Sequence, residues 1–126
     1  MKIKPEDVAD LVFEACPSYR DAWSDLDNGH STGRQYSVPI MIDFAQHVAR
    51  LWNDRRFEEF PAIFDLIERL HVEGNEKVVD HVVFYFTELL YIELKKRGIN
   101  PRFAERRLGP ASTYWLNFLK RVFGWC

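Results

Sequence analysis

Two stretches decide the fold. The first is Phe57-Glu58-Glu59-Phe60-Pro61-Ala62-Ile63-Phe64-Asp65-Leu66-Ile67-Glu68-Arg69-Leu70, and the second, past a turn at Gly74-Asn75, runs over residues 76–97. In the first, apolar side chains at 60, 63, 64, 67 and 70 fall on one face of a 3.6-residue helix, so a helix is expected over 57–72. Gly74 stops it, and Asn75 is placed to cap the next helix, with Glu76 in its first turn. The second stretch is apolar almost all round through Val82-Val83-Phe84-Tyr85-Phe86 and Leu89-Leu90-Tyr91-Ile92. A helix apolar on every side has to be covered on every side, which makes 76–97 the expected centre of the molecule.

The flanking segments follow the same rules. Pro5 suits the first position of a helix whose stripe is Val8, Leu11, Val12 and Ala15, and Cys16-Pro17 ends it. Ser18 caps a continuation through Ala22, Trp23 and Leu26, and residues 27–37 read as a long polar loop with two glycines. Ser37 caps a helix with the stripe Met41, Phe44, Ala45, Val48 and Leu51. After Gly98, a short helix is expected from Asn100-Pro101 to about Leu108. Gly109-Pro110 then opens a last helix carrying Trp115, Phe118, Leu119 and Val122. Nothing alternates with period two over a useful length. The expectation is one all-α domain over 1–126, a compact antiparallel helical stack, HEAT-like or an irregular bundle, around helix 76–97.

Composition bounds what such a domain does. A chain of 126 residues with 47% apolar and 15% aromatic residues holds one substantial core and leaves no room for a second. Cys16 and Cys126 make neither a disulfide framework nor a metal motif. The start lacks the apolar run of a secretory signal, and Glu88 and Glu93 interrupt the greasiest segment, so no membrane span and a cytoplasmic location are expected. Net charge is only −2 but uneven. Residues 1–94 hold 9 Lys/Arg against 18 Asp/Glu, whereas residues 95–126 hold 8 Lys/Arg against Glu105 alone. The two ends attract each other across the fold, or they present two fields able to steer a charged partner.

Candidate chemistry is sparse. The four histidines make no HExxH or paired His/Cys spacing, and Asp43 and His47, four apart, read as an ion pair rather than a metal site. No phosphate loop, GxSxG or evident nucleophile–base pair is present, so no cofactor and no enzymatic activity are expected. Glu88 lies among Phe84, Tyr85, Tyr91 and Ile92, with His81 one stripe along, and these make a polar seam of His81, Tyr85 and Glu88. A carboxylate there is desolvated and its pKa raised unless a tyrosine or arginine pairs with it. That makes a small enzyme using the seam the alternative reading. Nucleic acid is not the expected partner, since three quarters of the chain repels phosphate. The face formed by Glu58, Asp65 and Glu68, with Asp25, Asp27 and Asp54 in preceding loops, reads as a docking surface for a basic protein. A purely structural scaffold domain is the third possibility, favoured by a large exposed apolar patch.

The element Leu108-Gly109-Pro110-Ala111-Ser112-Thr113-Tyr114-Trp115 resembles an L-G-P-x-S-x-x-W element of small uncharacterised bacterial all-helical proteins, in which it also follows an apolar helix pair with a glycine turn. The resemblance covers roughly residues 57–123. Some of those proteins look like immunity proteins of toxin systems, which neutralise a toxin by binding it, so the resemblance implies a protein partner. Joined with the acidic helical surface, the expectation is a basic toxin masked by that surface. The resemblance supplies no catalytic residues.

Overall fold

A computed structural model of the chain describes residues 2–27 and 37–125, without the side chains of residues 24–27, 37 and 103. The elements are α1 (Pro5–Ala15), α2 (Pro17–Asp27), α3 (Ser37–Asn53), α4 (Phe60–Glu73), α5 (Glu76–His81), a π-helical segment (Val82–Thr87), α6 (Glu88–Lys96), α7 (Arg102–Glu105) and α8 (Pro110–Phe123). The fold is all-α. Among the described residues the only β pairing is an isolated parallel bridge between Ile3 and Gly74. The polar loop expected over 27–37 lies almost wholly outside the described residues, as do His30 and Cys126.

Helix 76–97 is real but is not a uniform α-helix. Its core-facing residues are Val78, Val82, Phe86, Leu90 and Leu94, one every fourth position. In an α-helix each step of four overshoots a full turn by about 40°, so the stripe would wind off its face within five such residues. The wide turn at Val82–Thr87 holds more residues per revolution and returns the stripe to the same side. The rod then lies along α3, whose Ile40, Met41, Phe44, Ala45 and Val48 are fully buried. Phe44 joins Phe86 at 5.3 Å and Tyr19 at 5.1 Å between ring centroids. The centre is therefore α3 and the rod together. The rod is not covered on every side, because Phe84 and Tyr85 stay 37% and 38% exposed.

Side-chain caps mark the starts of α1 and α5. Asn75 Oδ1 accepts the Val78 N–H at 3.0 Å, the expected N-cap. Asp7 accepts the Lys4 N–H at the start of α1. Helix α4 begins at Phe60 rather than 57, with Pro61 in its first turn. Gly74 was expected to end α4 by virtue of its flexible backbone, but its conformation is ordinary extended (φ −72°, ψ 150°). It is needed for space: a Cβ there would meet the Leu70 carbonyl and sit 2.6 Å from Val78 Cγ1. The N-terminal segment pairs with the backbone on either side of Gly74, Ile3 donating to Glu73 O and accepting from the Asn75 N–H, each at 2.8 Å. Gly74→Ala should cost about 1–3 kcal/mol, the range for forcing a methyl into a packed site, read as a lower urea midpoint at unchanged slope.

Candidate functional site

Glu68 stands apart from the other acidic residues of α4 and its entry. Glu68 was expected to face solvent beside Glu58 and Asp65, and this is corrected. Its carboxylate accepts the backbone N–H groups of Ala111 (3.0 Å) and Ser112 (2.9 Å) and the Ser112 hydroxyl (2.9 Å). Helix α8 has no side-chain cap of its own, so Glu68 caps it from α4, placing an anion at the positive end of the helix. A Cβ on Gly109 would come within 2.5 Å of Glu68 Cδ, which is why a glycine stands there. The Leu108–Gly109–Pro110–Ala111–Ser112 element is thus a docking device: glycine for close approach, proline to start the helix, serine to complete the cap. Burial alone would raise the Glu68 pKa, but those three donors outweigh it and hold the carboxyl below its ordinary range.

The same serine reaches His71. Ser112 Oγ lies 3.1 Å from His71 Nδ1, which is 2.9 Å from the Ile67 carbonyl. A carbonyl only accepts, and the serine proton is committed to Glu68, so Nδ1 carries the imidazole proton. Nε2 is left as a buried acceptor with no partner among the described residues. Burial holds the His71 pKa below its usual value.

A second polar cluster was missed. Ser18 Oγ lies 2.9 Å from His47 Nε2, and the Ser18 N–H donates to Glu59 Oε2 at 3.4 Å. Cys16 Sγ is 3.5 Å from Ser18 Oγ. The expected Asp43–His47 ion pair is not the contact formed: Asp43 takes the Tyr19 hydroxyl at 2.9 Å, while His47 takes the serine. A serine on an imidazole suggests a nucleophile and base, but a triad needs the carboxylate on the other ring nitrogen. Here Glu59 holds the serine's own backbone instead. Burial pushes the Cys16 thiol up to about 12, far from thiolate chemistry. The cluster fastens the α1–α2 corner to α3 and to the segment entering α4. Burial, then the nearby Arg50, lowers the His47 pKa.

The seam on the rod is only partly assembled. The His81 and Tyr85 rings meet edge to face at 5.9 Å. Glu88 is half-buried, and desolvation raises its pKa. Desolvation is the one cause of that shift, with no tyrosine or arginine hydrogen bond to Glu88 among the described residues to offset it.

Glu58, Asp65 and Asp54 are exposed, with Glu58 3.7 Å from Arg56. Asp25 and Asp27 belong to α2, but their side chains lie outside the described set. Glu58, Ala62, Asp65 and Arg69 follow one another along one face of α4 and its entry. Beside them α1 presents exposed Asp10 and Glu14. The two helices enclose a groove of about 350 Å³, floored by Leu11, Ala15, Ala62 and Leu66 and flanked by Glu14 and Asp65. Arg69, at its end, is held by Glu73 at 3.3 Å. The basic tail has partners near at hand: Arg97 and Lys96 bind Glu93, Lys120 binds Glu105, and Lys95 lies over Tyr91. On α8, Tyr114, Val122 and Phe123 are exposed.

Glu68→Ala should destabilise the protein by about 1–3 kcal/mol, since it leaves two amides and a hydroxyl in a part-buried site without their acceptor. Ser112→Ala should cost less, and a double-mutant cycle should show clear coupling between the two. Acid should weaken the fold in two stages. His47 and His71 take up protons near pH ~6.5 when unfolded but resist them when folded, so stability falls as pH drops below that value. Glu59 and Glu68, whose folded pKa values are lowered, contribute stability above the ordinary carboxylate range and lose it as pH falls through their folded values. Urea midpoints taken from about pH 7 to 2 check both stages, and His71→Asn should reduce the first, leaving the share of His47.

Among the described residues no helix is long and apolar enough to cross a membrane, and no group of His, Cys, Asp and Glu is arranged to hold a metal. Searches of curated proteins and of solved structures each return no match. The model of a family described as a domain of unknown function (DUF7674) matches residues 9–122, and the chain belongs to that family.

Proposed function

We propose that the chain is a protein-binding module that receives a basic partner on the acidic face of α1 and α4. The observation carrying this reading is the groove between those helices, where an apolar floor of Leu11, Ala15, Ala62 and Leu66 lies between the Glu14 and Asp65 carboxylates. An apolar centre with a charged rim is the anatomy of a recognition patch. Glu58 and Asp54 extend the negative field along the entry to α4, and Asp25 and Asp27 belong to the same proposed surface. Glu68 does not, because its carboxylate is spent on α8. Three of the tail's cations, Lys96, Arg97 and Lys120, meet Glu93 and Glu105 within or beside the tail, which leaves the field of α1 and α4 to act outward.

The partner that the Leu108–Trp115 resemblance suggests is a basic toxin, neutralised by masking. Such a partner would approach fast at low salt and dock with its cations on Glu14, Asp65 and Glu58. Co-expression with the product of a neighbouring toxin gene should protect cells and yield a complex on purification. Failure of both would remove the immunity reading. Reversing charge at Glu14 and Asp65 together should slow association about tenfold at low ionic strength, with a smaller effect at high salt. Unchanged kinetics would move the interface away from this face.

A further inference from the structure

The α3–α4 connection carries a groove of different character. It measures about 660 Å³ and is lined by Trp52, Asn53, Arg55 and Phe57 on one side and by Gly98, Ile99, Asn100 and Arg107 on the other. That size suits a small organic ligand. In a region otherwise rich in carboxylates, its charged groups are two arginines.

Arg107 has no carboxylate partner among the described residues. Its guanidinium carbon lies 5.8 Å from the centre of the Trp52 ring, 5.7 Å from Phe57 and 5.4 Å from Phe60. Those rings are fixed against one another, Trp52–Phe60 at 5.0 Å and Phe57–Phe60 at 5.2 Å. A guanidinium held by aromatic rings still has its N–H donors to offer, and a planar fork so oriented suits two oxygens of one anion.

Arg55 is the second arginine, and its backbone is strained. Helix α3 ends with the Arg56 N–H on Leu51 O, which leaves Arg55 in the left-handed region at φ 58°. The other left-handed positions among the described residues are Gly98 and Gly124, both helix ends and both glycine. A glycine would serve equally well at 55 if only the turn mattered. The strained residue is instead an arginine, likewise without a carboxylate partner among the described residues, on the wall of the same groove. Asn100 uses its Oδ1 on the Arg102 N–H, leaving its amide N–H₂ to donate. Phe57, 37% exposed, supplies an apolar surface beside these donors.

From this arrangement we infer that the groove binds a small organic oxyanion, a carboxylate or phosphate attached to a flat apolar group. The anion lies on Arg55 and Arg107 and the apolar group against Phe57. This site shares no lining residue with the α1–α4 groove and does not depend on the protein-binding reading.

Calorimetric titration of the full chain with benzoate, phenyl phosphate and inorganic phosphate tests it. Saturable binding of benzoate or phenyl phosphate is expected, and whichever is tighter identifies the oxyanion as carboxylate or phosphate ester. Arg107→Lys keeps the charge but loses the fork, and should weaken binding about tenfold or more. Arg55→Gly should weaken it similarly while the protein stays folded, since glycine relieves the backbone strain. Arg121→Ala, exposed on α8 and outside the groove, should leave affinity unchanged. The proposal is overturned by no saturable heat with any probe, or by equal affinity in the parent, R55G and R107K. Inorganic phosphate binding as tightly as phenyl phosphate would also overturn it, because the apolar half of the site would then contribute nothing.

Discussion

The structure depends on keeping one apolar stripe of residues 76–96 against α3. That stripe repeats every fourth residue, a period that an α-helix cannot hold on one side. The wide turn at Val82–Thr87 reconciles the spacing with the packing. Everything else is arranged about that seam: α1 and α2 close over α3 through Tyr19 and Phe44, and α4 brings Phe60, Ile63 and Ile67 to the same core. Phe84 and Tyr85, within that wide turn, stay at the surface.

Electrostatics in this chain is divided by what each charge is bound to, more than by where it stands in the sequence. Glu68 follows Asp65 by three residues on α4, yet its carboxylate serves α8, whose amides it satisfies. Glu59 likewise serves the backbone of Ser18. Removing these two from the acidic account leaves a narrower field, that of α1 and the outer face of α4. The basic side is subdivided in the same way. Lys95, Lys96, Arg97 and Lys120 of the tail are held by Tyr91, Glu93 or Glu105, while Arg107 rests on rings in a groove lined by no acid.

Helix existence was legible because the signals were local. Stripes of period 3.6, prolines at helix starts and the Asn75 cap each act over a few residues, and those elements appear where expected. The π-helical turn was not legible: its cause is the mismatch of a four-residue repeat with a partner helix, which only the packed pair reveals. The candidate site was harder still. The Leu108–Ser112 element stood out in the sequence, but its meaning depends on a carboxylate more than forty residues earlier. His47 stood four residues from Asp43, and that spacing suggested the wrong partner because a closer serine arrives from α2. Arg55 carried no local mark, since a left-handed arginine looks like any other arginine until the backbone is traced.

The Ile3–Gly74 bridge has a kinetic consequence. It closes a loop of roughly seventy residues, and such a closure is entropically repaid only when the intervening helices are already in place. Its two amides, on Ile3 and Asn75, are therefore reporters of the finished molecule. In a hydrogen-exchange or pulse-labelling record they would be the last to gain protection and the first to lose it. Partial assemblies would be marked by solvent reaching that pair while α3 and the rod are already shielded.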